Sequence, residues 1–334
     1  MKTSGFLNKR SASVVLALAA FWLLATPIRP GAPQAPNPPG PIIVPLRAES
    51  VPLSLEQPGL SRTGALDYLG GWVLEADSDR FGGISALHVD GDLATAISDT
   101  GELIRFAVPG SPRFGAVRIA RLAAGPTPVR RKADRDAEAM LVAGDDVWVV
   151  WENRREVWRY GRDWRARAAA RPAAMRRFGR HAGAEAIARL PGGRFLILSE
   201  TATGSPGLYR ALLFGGDPAQ PGTATMPLLY RPPAGFRATD AASLPDGRLL
   251  VLNRRAEIWE GIGAALTVVD PATIRPGATI EGREIARLQW PLTVDNMEAL
   301  AVTREAGRTI LWIASDDNFT PIQRTLLLRF ALRP

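Results

Sequence analysis

The chain has 334 residues, of which 46% are hydrophobic and 22% charged, so a large folded core is expected and global disorder is excluded. It contains no cysteine, which removes disulfides, thiolate nucleophiles, cysteine-ligated zinc and iron–sulfur clusters together, and with only His88 and His181 a multi-histidine metal centre is excluded too. The net charge of +8 is almost wholly arginine, since the only lysines are Lys2, Lys9 and Lys132. Arginine keeps its charge at any working pH and grips phosphate or carboxylate through two donors, although an excess of it also fits an ordinary solvated face.

In chain order, Lys2, Lys9 and Arg10 precede an apolar run over 11–28. A basic segment followed by an apolar one is the pattern of a secretory signal. No small-x-small cleavage site is clear near Ala25, so residues 1–26 are read as a signal peptide or as a retained N-terminal anchor. Either way the positive charges hold the N-terminus in the cytoplasm and the rest is exported. The expected location is periplasmic or secreted, or tethered to the inner membrane through the N-terminus. Eight prolines from Pro27 to Pro45 then mark residues 27–45 as an extended, proline-rich linker, with a folded domain over 46–334.

Five segments of that domain repeat one pattern: GGISALHVDGDLATAISD (82–99), DAEAMLVAGDDVWVVWEN (136–153), GAEAIARLPGGRFLILSE (183–200), TDAASLPDGRLLVLNRR (239–255) and NMEALAVTREAGRTILWIASDDN (296–318). Each opens on an anchor residue (Ser85, Glu138, Glu185, Asp240, Glu298), runs through two short apolar stretches joined by a Gly/Asp turn, and ends in polar residues. The anchors are 53, 47, 55 and 58 residues apart. Short apolar runs bounded by turn residues predict β-hairpins. Third strands are predicted at 102–108, 156–160, 208–214, 265–269 and 325–332, and fourth strands at 116–122, 225–230 and 283–290. Four strands per unit of this length is the arithmetic of a β-propeller blade, and a β-sandwich would not explain the repetition. The expected fold is therefore all-β: a propeller of five four-stranded blades, or six if residues 46–58 start another. The fifth unit runs out of chain after its third strand, and the N-terminal run 66–75 is predicted to supply the missing one and close the ring.

In a hairpin, the start of the first strand and the end of the second lie at one edge. The anchors Glu138, Glu185, Asp240 and Glu298 should therefore gather near a central channel, with Asp99, Glu152, Glu200, Asn253, Arg254 and Asp316 around them.

The sequence resembles the phytase-like family named for an esterase-like activity of phytase. The resemblance rests on RFGGISAL (80–87), AISDTG (96–101), RDAEAM (135–140), GAEAIA (183–188), GFRATDAASLPDGRLLVLNRR (235–255), TVDNMEALAV (293–302) and SDDNFTPIQRTLLLRFAL (315–332). It implies a relation to β-propeller phytases, which are calcium-dependent phosphomonoesterases. Family members commonly carry glycine after the anchor, where this chain has Ala86, Ala139, Ala186 and Ala299.

Clustered carboxylates stay ionised together only if a cation or arginine neutralises them. Calcium takes six to eight oxygen ligands and needs neither histidine nor cysteine. Glu138, Glu185, Asp240, Glu298 and Asp316 are candidate Ca2+ ligands on this reading; the alternative is that each acid accepts backbone N–H groups from the neighbouring blade. Arg80, Arg154, Arg237 and Arg255 are candidate phosphoryl-binding residues, or else surface arginines. Glu185, Arg254 and His181 are candidate catalytic residues, with His181 as a general acid or a plain loop histidine. His88 reads as a structural residue within a strand. The segment Gly83-Ile84-Ser85-Ala86-Leu87 lacks the closing glycine of a nucleophile elbow. The arginine-rich stretch 154–180 reads as an interblade loop, and no nucleic-acid partner is expected for an exported protein. Two functions remain: a monomeric, metal-dependent phosphoester hydrolase acting on a small phosphorylated or ester substrate, or a non-catalytic binding or scaffold module of the cell envelope.

Overall fold

Strand β1 (Ile42–Ser50) begins inside the proline-rich stretch rather than near residue 46, and it bridges two sheets. The computed structural model describes residues 40–123, 132–179, 183–257 and 261–333; residues 1–26, most of the expected linker and His181 lie outside them. Among the described residues the architecture is all-β, with short 3-10 turns and no α-helix.

After β1 come a two-residue strand β2 (Arg62–Thr63) and the long β3 (Leu66–Ala76). The five repeats then form five antiparallel stacks. The first is β4 (Ile84–Asp90), β5 (Leu93–Ser98), β6 (Glu102–Ala107) and β7 (Ala116–Arg121). The second is β8 (Ala137–Ala143), β9 (Asp146–Trp151), β10 (Glu156–Gly161) and β11 (Ala166–Ala170). The third is β12 (Ala184–Arg189), β13 (Phe195–Ala202), β14 (Tyr209–Phe214) and β15 (Thr225–Arg231). The fourth is β16 (Arg237–Ser243), β17 (Leu249–Glu257) and β18 (Gly261–Val269), followed by β20 (Arg283–Gln289); the intervening β19 (Thr279–Glu281) runs parallel to β15 of the third. The fifth is β21 (Met297–Glu305), β22 (Arg308–Ser315) and β23 (Leu326–Leu332), to which β3 adds itself antiparallel, Leu66 opposite Leu332.

The hairpin turns use the residues their backbone demands. Gly91 between β4 and β5 has φ of +58°, which a side chain would strain. β11 is the fourth strand that propensity hides: its sequence is Ala-Arg-Ala-Ala-Ala, yet it pairs with β10 inside the arginine-rich stretch expected to be a loop. Pairing to a neighbouring edge overrides weak strand propensity there. Residues 51–58 form no further sheet: one isolated bridge joins Ser54 to Leu292. β1 does not start another unit; it pairs through Ile42–Pro45 with β7 and through Leu46–Ser50 with β3.

Among the described residues the core is divided among five apolar clusters, each drawn from two successive sheets. Ile97 and Leu103 of the first pack with Trp151 and Trp158 of the second; Trp148 and Val150 of the second pack with Ile197 and Phe214 of the third. Leu196 and Tyr230 pack with Val251 of the fourth; Leu252 and Leu266 pack with Leu311 and Phe330 of the fifth. Trp312 and Leu327 of the fifth pack with Ile104 and Phe106 of the first. The first strands touch in the same order: β4 with β8, β8 with β12, β12 with β16, β16 with β21, and β21 with β4.

Candidate active site

The site begins with an irregularity repeated in every first strand. The ladder skips one residue near each start, at Ser85, Glu138, Glu185, Thr239 and Glu298. A bulged residue leaves the regular alternation, and its side chain is re-aimed. Opposite each bulge the second strand ends against the first. Asp99 N–H donates to Gly83 O (2.9 Å), Glu152 to Asp136 O (2.9 Å), Glu200 to Gly183 O (3.1 Å) and Asp316 to Asn296 O (2.9 Å). In the fourth sheet Arg237 faces Arg254 in the ladder. Strand starts and strand ends therefore share one edge.

The register corrects one equivalence drawn from the repeats. Thr239, not Asp240, stands where the other units carry Ser85, Glu138, Glu185 and Glu298, because Asp240 is already back in the ladder opposite Leu252. Asp240 is buried, and its two oxygens accept the N–H groups of Ala241 (2.8 Å) and Leu300 (2.7 Å). Thr239 donates its hydroxyl to Met297 O at 3.1 Å. Both residues thus fasten the fourth sheet to the first strand of the fifth. Burial raises the Asp240 pKa well above the ordinary value, the two amide donors oppose that, and Glu298 adds to it.

One part of the edge is a nest of carboxylates. Oxygens of Asp136, Glu138 and Glu152 all lie within 4.8 Å of one another. Asp136 precedes the bulge by two residues and also accepts the Asn153 side-chain amide. Glu152 is buried and accepts Gly183 N–H at 2.6 Å. Burial pushes Glu152 up to about 8, with the Asp136 charge adding to the shift. Glu138 is raised well above the usual range by burial and then by Glu185, Asp136 and Glu152. Glu185 is raised the same way, by burial and then by Glu200, Glu152 and Glu298, and Arg254 only partly offsets this. Asp316 is raised by burial and by Asp99 and Glu298.

The other part is organised by Arg254. Its guanidinium meets Glu200 (2.8 Å), Glu298 (3.2 Å) and the Asn296 carbonyl oxygen Oδ1 (2.7 Å). Burial works against that cation, but Glu298 and Glu200 outweigh it and its pKa is raised. Burial lifts Glu298 to about 7 while Arg254 pulls it down. Arg237 reaches Glu200 at 3.8 Å.

The remaining arginines expected here each have a partner of their own. Arg80 forks onto buried Glu102 (2.8 Å), which Arg121 also holds (2.9 Å). Arg154 is buried on Glu156 (2.8 Å) and the Trp158 ring. Arg255 lies over Phe236 and reaches Gln289 at 3.3 Å. His88 sits within β4, where burial and Arg162 lower its pKa.

The sequence reading missed Asp136, Thr239 and Asn296. Each lies within two residues of an anchor, and Asp136 was in view in the RDAEAM motif.

A three-carboxylate nest fits a hard, oxygen-seeking dication. Two ligands 2.3–2.6 Å from one calcium ion can stand as far apart as the spacing found here, Glu138 and Glu152 are raised by burial and by neighbouring acids, and none of the three carboxylates forms an ion pair with a cation among the described residues.

Fold and site together define an all-β protein of radially packed sheets with an acidic edge where the first strands meet. The chain belongs to the phytase-like family: the profile described as esterase-like activity of phytase matches residues 79–319. No curated protein sequence matches it. Among solved structures it is similar to the glutaminyl cyclase of Myxococcus xanthus, with 8% identity, a TM-score of 0.43, and coverage of 80% of this chain and 97% of that one. It is similar to a streptogramin B lyase at 12% identity and TM-score 0.37, covering 85% and 98%. A third similarity is to the β-propeller domain of Cps50 (Swd1) from Myceliophteria thermophila, at 9% identity and TM-score 0.38, covering 86% and 99%.

Proposed function

We propose that the chain is an exported five-bladed β-propeller that hydrolyses phosphoesters with the help of calcium held at the acidic edge. The five inter-sheet cores, and the pairing of β3 with β23, support five blades closed by an N-terminal strand. Export rests on the basic and apolar N-terminal sequence; among the described residues no helix is long and apolar enough to cross a membrane. The observation that carries the catalytic reading is the Asp136–Glu138–Glu152 nest in a chain of the phytase-like family.

Asp136, Glu138 and Glu152 would hold the ion, with Glu185 beside them. When bound, calcium supplies positive charge that polarises a phosphoryl oxygen. Arg254, fixed by Glu200, Glu298 and Asn296, presents a rigid cation to the phosphoryl group, and Arg237 adds a more exposed one. Glu185 lies between the nest and Arg254, and its raised pKa suits a group that takes a proton from water and returns it to the leaving oxygen. The chain acts on this reading as a monomer on a small ester.

The test is a panel of phosphomonoesters, phosphodiesters and carboxylic esters assayed with calcium and with EGTA. Turnover that EGTA abolishes and calcium restores is expected. No turnover on any ester would move the protein to the second reading, a binding module of the cell envelope, which the engagement of Arg80 by Glu102 and of Arg154 by Glu156 favours.

A further inference from the structure

The outer strands of the third sheet carry a cavity of about 260 Å³, and strand alternation explains its floor. Leu212 and Phe214 of β14 pack toward the second sheet, whereas Ala211 and Leu213 pack toward the fourth. Arg210 therefore shares the face of Leu212. On β15, Leu228 and Tyr230 pack toward the fourth sheet, which leaves Pro227 and Leu229 on the side of Arg210. The ladder sets Arg210 opposite Leu229 and Leu212 opposite Pro227, so these four residues form one surface.

The wall comes from the second sheet. After β11 ends at Ala170 the chain makes a 3-10 turn, Ala173–Arg177. Met175 and Phe178 pin it by burying themselves in the core shared by the two sheets. Gly179 N–H then donates to the Thr201 hydroxyl of β13 at 2.7 Å. Arg177 and Phe178 line the cavity from this turn, and Ala278, just before β19, adds to the lining.

The lining is apolar apart from Arg177 and Arg210 and includes no acid. Among the described residues neither guanidinium forms an ion pair or a hydrogen bond, and Arg210 Nε is buried without a partner. Arginine is seldom withdrawn from water unpaired, and a buried donor left unbonded costs stability. Elsewhere this chain obeys that rule: Arg80, Arg154 and Arg254 each have a carboxylate at 2.8 Å. Arg210 is a half-buried cation over an apolar floor that lacks its anion.

We infer that this cavity binds a small organic anion. Its carboxylate or phosphoryl head meets Arg210 and Arg177, and its apolar body lies on Leu212, Pro227, Leu229 and Phe178. The guanidinium fork suits either head, and burial of the apolar body adds affinity. The site is independent of the hydrolase reading, because none of these residues belongs to the acidic edge.

Calorimetry on the full chain in EGTA, with no calcium to fill the acidic edge, tests this with phenylacetate and phenylphosphonate. At least one should bind saturably, and the tighter of the two identifies the head group. Phenylacetamide is the body without a charge; acetate and inorganic phosphate are heads without a body. Each should bind at least on the order of tenfold more weakly. Arg210→Met should weaken binding by a similar factor, yet leave the melting temperature of the ligand-free protein unchanged or higher, since no protein contact is lost. Leu229→Glu, directly opposite in the ladder, supplies an internal carboxylate and should block the anion in a folded protein. No saturable binding of either aromatic anion would overturn the site. So would affinity unmoved in both variants, or acetate or phosphate binding as tightly as the aromatic anions.

Discussion

Two glutamates at the same bulge, Glu138 in the second sheet and Glu298 in the fifth, have opposite surroundings. Glu298 has Arg254 at 3.2 Å, and that guanidinium also ties down Glu200 and Asn296. Glu138 has Asp136 and Glu152 instead, with Glu185 adding to the repulsion. The repeat thus delivers a carboxylate to each place, and the neighbour decides its use. The fifth-sheet side is countered by Arg254, whereas on the second-sheet side no cation among the described residues pairs with the three acids, and the proposed calcium ion would supply that charge.

The largest effect should come from removing the internal counter-charge. Arg254→Met removes the nearest counter-charge from Glu200 and Glu298, leaving Glu200 only the more distant Arg237, and should cost about 3–5 kcal/mol in urea unfolding. A loss below about 1 kcal/mol would mean that the two sides are not different in kind. Next comes Asp240→Asn, which weakens the acceptor for Leu300 and Ala241 and should cost about 1–3 kcal/mol. It should leave any calcium response intact; a lost response would return Asp240 to the ion-binding set.

A smaller effect concerns pH. Glu152 and Glu298 titrate near 8 and 7 in the fold against an ordinary 4.5, so between these values the native state keeps protons that the unfolded chain has released. Stability without calcium should therefore fall as pH rises from about 4.5 to 8, by up to about 1.4 kcal/mol per pH unit for each group. Saturating calcium should remove the Glu152 component and leave that of Glu298. A melting profile that is flat, or that rises with pH, would contradict the assignment.

The parts readable in the sequence were those that are local. Hairpin turns and paired apolar runs marked the all-β hairpins, and the missing last strand marked β3 as the partner of β23. β11 was hidden because an alanine-rich segment pairs only by virtue of the edge beside it. The one-residue slip at Thr239 was invisible because Asp240 offers the expected residue type beside the true bulge. Arg80, Arg154 and Arg255 could not be assigned because adjacency in sequence to an anchor does not say which way a long side chain leaves the strand; Glu102, Glu156 and Phe236 captured them. Arg254 could be distinguished from Arg255 only through strand alternation, which sends successive side chains to opposite faces.

The most direct measurement is a calcium titration of thermal stability, run on the wild type and on Glu138→Gln. The wild type should melt at increasing temperature as calcium is added, gaining about 2.7 kcal/mol at a hundredfold excess over its dissociation constant, and Glu138→Gln should lose most of that gain. A wild-type melting temperature that does not respond to calcium would contradict the claim that the second-sheet carboxylates are completed by a cation.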